Sequence, residues 1–74
     1  MRCTVVTMPG CPKCMQAKRE LSGVINVMFV MNSTIEGSIL VKTHQLKYAP
    51  AFCFDDGFFT YSILEAKKRI TPTP

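Results

Sequence analysis

Cys3-Thr4-Val5-Val6-Thr7-Met8 runs directly into Pro9-Gly10-Cys11-Pro12-Lys13-Cys14. The first six residues are rich in β-branched side chains, which crowd a helix and pack well on a pleated strand. Pro9-Gly10 interrupts that strand, and Pro12 suits the first turn of a helix, where its fixed φ fits and its missing N–H is harmless. Cys14, Ala17 or Lys18, and Leu21 recur at helical spacing, and Ser22-Gly23 supplies a residue able to take positive φ at the helix end. A strand, a loop and a helix opening at Cys11 are therefore expected. Orphan N–H groups at that helix start, with Lys13 beside them, favour thiolate over thiol at Cys11. Cys14 lies one turn deeper and within reach. The pair reads as nucleophile and resolving thiol.

The other cysteines sharpen this. The four cysteines, at 3, 11, 14 and 53, are compatible with disulfide staples, metal ligands, a redox pair or buried apolar residues. A Cys11–Cys14 bridge closes so short a loop that it stabilises by only about 2 kcal/mol, against about 4 kcal/mol for a Cys3–Cys53 bridge. A chain needing staples would use the long loop, whereas a bridge that barely stabilises is one that opens and closes. Cys3 and Cys53 fall inside strands, where a free cysteine serves as a small apolar side chain.

The rest of the chain follows coarsely. Ile25 to Met31 is expected as a second strand, and Ser33 with Glu36 as a capping box opening a helix to about Leu46, which Gly37 weakens. Tyr48-Ala49 must be extended before Pro50. Ala51-Phe52-Cys53-Phe54 is apolar on both faces, as a central strand covered on both sides would be. Asp55-Asp56-Gly57 signals a hairpin into Phe58-Phe59-Thr60, and Ser62 with Glu65 opens a last helix through Ile70, stopped by Pro72. The order is β-α-β-α-β-β-α, one α/β domain over residues 1–70, with residues 71–74 as a frayed tail.

Composition closes off several classes. The 74 residues are 47% hydrophobic and 19% charged, which places the chain with globular proteins rather than disordered ones. Val24 to Met31, broken by Asn26, falls well short of the roughly 18 residues a membrane span needs, and no secretory h-region is visible. A soluble, cytoplasmic monomer is expected. The net charge of +4 is spread over the chain, and Lys67-Lys68-Arg69 falls in a helix last turn, where cations complement the macrodipole. No aromatic RNA-binding motif or recognition helix accompanies it, so nucleic-acid binding is not expected. A mildly basic docking surface is. His44, the only histidine, follows Thr43 and is expected to face solvent.

At this point the chain resembles the thioredoxin fold in its minimal, glutaredoxin-sized form. Three pieces carry the resemblance: Cys11-Pro12-Lys13-Cys14, Ala49-Pro50 about 35 residues later, and Asp56-Gly57 turning the last two strands. The resemblance implies a four-stranded mixed sheet with helices on both faces. The proline position within the motif is similar to dithiol glutaredoxins, and Thr7-x-Pro9-x-Cys11-x-x-Cys14 is similar to redoxins that reduce ribonucleotide reductase. It implies a redox-active Cys11–Cys14 disulfide, no organic or metal cofactor, and disulfide-bearing protein substrates. It further implies a cis Pro50 beside the sulfurs, Ala49 offering its backbone to substrate, and Pro12, Lys13 and Tyr61 near the bound chain. Glutaredoxins carry Gly-Gly where Tyr61-Ser62 stands, and often Lys where Met8 stands. Two reductants stay open, thioredoxin reductase and glutathione. A lone C-x-x-C is also half a zinc site, so a zinc or iron–sulfur carrier using Cys11 and Cys14 is the alternative. Phe52, Phe54, Phe58 and Phe59 are expected as core and groove lining.

Overall fold

Cys3–Thr7 forms the first strand, β1, in the computed structural model, which describes residues 2–70. The chain continues through α1 (Pro12–Glu20), β2 (Val27–Met31), α2 (Ile35–His44), β3 (Ala51–Phe54), β4 (Phe59–Thr60) and α3 (Ile63–Ile70). The four strands make one mixed sheet in the order β2-β1-β3-β4. β1 runs parallel to β2, with Val5 opposite Phe29, and antiparallel to β3, with Val5 opposite Phe52; β4 pairs antiparallel to β3. The parallel pair needs a crossover long enough to return the chain to the same edge, and α1 supplies it.

Strand alternation divides the core in two. Cys3, Val5, Phe52 and Phe54 face Ala17 and Leu21 of the α1 segment and Ala66 of α3. Val6, Ala51 and Cys53 point the other way, toward Leu40 and Val41 of α2 and toward Leu46. All four residues of β3 are buried, as a strand covered on both faces requires. Two helices therefore cover one face and one covers the other.

Several boundaries differ from the sequence expectations, each for a local reason. Ile25 stands 93% exposed outside the sheet, and β2 begins only at Val27, opposite Cys3 where β1 itself begins; the Cys3 N–H bond to Asn26 O is the first rung of that parallel ladder. The cap of α2 is Thr34, not Ser33: its Oγ1 accepts from Gly37 N–H at 3.0 Å and donates to Met31 O at 2.7 Å. This places Gly37, not Glu36, at the third helical position. A Cβ there would lie 2.0 Å from Met31 O, so Gly37 is what lets α2 start against the end of β2. The helix stops at His44, with Gln45 left-handed at φ 53°, rather than at Leu46. Phe58 belongs to the hairpin loop, its N–H donating to Asp56 Oδ1, and β4 starts at Phe59. Ser62 Oγ accepts from Glu65 N–H as expected, but Ser62 N–H donates to Thr60 Oγ1, which takes the other half of the capping box.

The basic run of α3 is partly consumed within the molecule. Lys67 pairs with Glu20 of α1, and Arg69 pairs with Asp56 at 3.1 Å while lying 4.0 Å from the Phe58 ring centre and 5.1 Å from that of Phe54. Among the described residues no helix is long and apolar enough to cross a membrane. Pro72 and the expected frayed tail lie outside the described residues.

Candidate dithiol site

The loop after β1 delivers Cys11 to the start of α1. Gly10 takes φ 70°, the left-handed conformation a side chain rarely adopts, and Cys11 follows extended at φ −96° and ψ 110°. Cys11 is thus the N-cap itself, with Pro12 opening the helix behind it. Its sulfur does what a cap oxygen normally does. Cys11 Sγ accepts from Cys14 N–H at 3.2 Å, and the thiol also lies 3.6 Å from Ala49 O.

These contacts separate the two thiols. Cys11 is held below its usual pKa, first by the hydrogen bond from the Cys14 thiol, then by the Cys14 and Lys13 N–H groups and the Lys13 charge. Cys14 is pushed up, first by burial and then by giving its proton toward Cys11. Met8 N–H and the Lys18 charge oppose that rise. The outer thiol is therefore the easier of the two to ionise and the inner one the harder, the inequality that a nucleophile and a resolving thiol would need.

Cys3 and Cys53 are of another kind. Both are buried, and burial pushes them up to about 12 and about 11. Cys3 faces the α1 and α3 side of the sheet and Cys53 the α2 side, so no bridge joins them. Their burial matches the reading as apolar core residues.

The other candidate site residues gather unevenly. The Ala49–Pro50 bond is cis, and Pro50 lines a groove of about 230 Å³ with Lys13, Gln16, Tyr61 and Ile63. Pro12 is exposed at the first helical position and is not a wall of that groove. Tyr61 is pinned three ways. Its hydroxyl accepts from Lys47 N–H at 3.1 Å, and its ring meets Tyr48 and Phe59 edge-on at 5.4 and 5.7 Å. His44 is half-buried rather than solvent-facing, because its ring packs on Phe59 at 4.9 Å. Of the phenylalanines expected as core and groove lining, Phe52 and Phe54 are core, Phe59 packs on the α2 side and Arg69 covers Phe58, so none of these lines the groove.

Gln16 and Ile63 are groove walls that the sequence reading missed. Gln16 was within reach, since three residues along a helix return to the face of Lys13. The Met8 N–H that faces Cys14 carried no signal, because backbone groups have none. Among the described residues no three His, Cys, Asp or Glu side chains gather as a metal site. Comparison with known proteins finds no matching family model, curated protein or solved structure.

Proposed function

We propose that this protein is a thiol–disulfide oxidoreductase, a small dithiol redoxin of minimal thioredoxin fold that reduces disulfides on partner proteins through Cys11 and Cys14. One observation carries the reading: Cys11 Sγ caps α1 and accepts the N–H of a buried Cys14 three residues on. The Cys11 thiolate attacks one sulfur of a partner disulfide, whose other sulfur leaves as thiolate. Cys14 then gives its proton to the partner thiolate already released and attacks Cys11 Sγ, breaking the mixed disulfide, releasing the second partner sulfur as thiolate and leaving a Cys11–Cys14 disulfide. Once Cys11 is bound to the partner its negative charge is gone, and Met8 N–H and Lys18 support the thiolate forming at Cys14. Two electrons pass to the partner. A reductant, thioredoxin reductase or glutathione, resets the pair.

A metal carrier fits the donor set less well. Cys11 and Cys14 supply two ligands where zinc takes four, and Cys3 and Cys53 are locked in the sheet. Such a site would need two ligands from a second molecule. Reduction of a protein disulfide, coupled to NADPH through thioredoxin reductase or through glutathione and its reductase, tests the proposal. Turnover that disappears on Cys11→Ser supports it, and turnover that survives the substitution overturns it.

A further inference from the structure

Ala49 and Pro50, neighbours in the chain, wall two different grooves. Pro50 lines the one of about 230 Å³ that contains Lys13, and Ala49 lines a second of about 90 Å³ that contains Met8, Asn32, Leu46, Lys47 and Tyr48. Cys11 Sγ, 3.6 Å from Ala49 O, lies at the ridge between them. Both grooves are smaller than the roughly 300–1,000 Å³ of small-molecule sites. Each is sized for a side chain or two.

The charges on the two sides agree. Each groove holds one lysine, and no Asp or Glu lines either. The acidic residues are engaged elsewhere: Glu20 with Lys67 and Gln16, Asp56 with Arg69, Asp55 with the Arg2 N–H, and Glu36 and Glu65 in the first turns of α2 and α3. Lys13 and Lys47 form no ion pair among the described residues. Unpaired cations on both flanks of a reactive sulfur attract an anionic partner and reject a cationic one.

We propose that the substrate is an extended acidic segment of a partner protein, which crosses the Ala49–Pro50 ridge with its disulfide cysteine at Cys11. A carboxylate side chain on one flank meets Lys13, and one on the other flank meets Lys47. This rests on the redox reading above and names the substrate class of that site. The chemistry is the exchange already described: the peptide S–S bond breaks, the peptide gains two electrons, and the Cys11–Cys14 pair is oxidised.

Symmetrical disulfide dimers of two short peptides test it, one with Glu on both flanks of its cysteine and one with Lys. Reduced protein is mixed with each under single turnover, and each rate is divided by that of dithiothreitol on the same peptide, which removes intrinsic reactivity. The acidic peptide should be favoured about tenfold at low salt, the effect of two exposed ion pairs, and the preference should nearly vanish at about 0.5 M salt. Lys13→Glu and Lys47→Glu should each erode the preference and together reverse it, while Lys42→Glu, with the same change in net charge on exposed α2, should erode it less. Equal normalised rates, or a preference lost as much through Lys42→Glu as through the groove lysines, would overturn the proposal and leave the redox reading standing. Failure of the protein to outpace dithiothreitol on either peptide would overturn both.

Discussion

Opening the groove at Tyr61 should change which disulfides the protein accepts. If glutathione has to approach bare backbone where Tyr61-Ser62 stands, as the resemblance to glutaredoxins implies, the Tyr61 ring is in its way. Displacing it means losing the hydrogen bond from Lys47 N–H, about 0.5–1.5 kcal/mol. The two edge-on contacts with Tyr48 and Phe59 are worth about 0.5–1.5 kcal/mol each. The combined barrier to displacement is about 1.5–4.5 kcal/mol, or roughly 10- to 2,000-fold in affinity. Replacing Tyr61 and Ser62 with Gly should therefore raise kcat/KM on glutathione mixed disulfides by that order, relative to a protein disulfide measured in parallel. Tyr61→Phe keeps the ring and drops only the hydroxyl, so the gain should be about fivefold. The glycine variant gives up the same contacts in its own fold and should melt earlier, so both activities are to be measured well below its Tm. Efficient glutathione turnover by the unaltered protein, with no gain from the glycines, would refute the reasoning.

Three further expectations concern the thiols and the core. In the reduced protein, iodoacetamide should label Cys11 far faster than Cys14, Cys3 or Cys53, and its rate should rise with pH about a midpoint below the ordinary thiol value of about 8.5, because only the thiolate reacts. Gly37→Ala should lower stability by more than about 2 kcal/mol in urea unfolding, since its Cβ would meet the Met31 backbone oxygen and the strand end must move. The stability of the reduced protein should fall as pH rises from about 8.5 toward 11, because Cys3 and Cys53 stay protonated in the fold up to about 12 and about 11 while the unfolded chain ionises earlier. Cys3→Ala should cost stability at pH 7 but flatten that alkaline slope, which thermal melts across the pH range would show.

The parts of this fold that were legible from the sequence are those set by short-range chemistry. Thr4 to Thr7 read as a strand because branched side chains suit a pleat, and Pro12 read as a helix start because of its fixed φ. The all-apolar Ala51–Phe54 announced a strand with two covered faces. The cap of α2 was misplaced by one because Ser33 and Thr34 are chemically equivalent caps, and what chooses between them is the approach of Gly37 to Met31 O, a contact between elements. Ile25 continues an apolar run, and no local rule says that the register will set Cys3, the first residue of β1, opposite Val27 and leave Ile25 without a partner strand. At the candidate site, the closeness of Cys11 and Cys14 and the easier ionisation of Cys11 followed from spacing and a helix start. The bond from Lys47 N–H to Tyr61 joins residues 14 apart with no periodic relation, and it becomes visible only once the loop is folded.

The division of roles between Cys11 and Cys14 is tested most directly by trapping. The Cys14→Ser variant, reduced and mixed with a disulfide-bearing protein, should halt at a covalent adduct through Cys11, because the sulfur that would resolve it is gone. The adduct should be visible by non-reducing gel and mass spectrometry and should be released by dithiothreitol. Cys11→Ser should give no adduct under the same conditions, since Cys14 is buried and pushed toward the neutral thiol. Adducts formed equally by both variants, or by neither, would contradict the account.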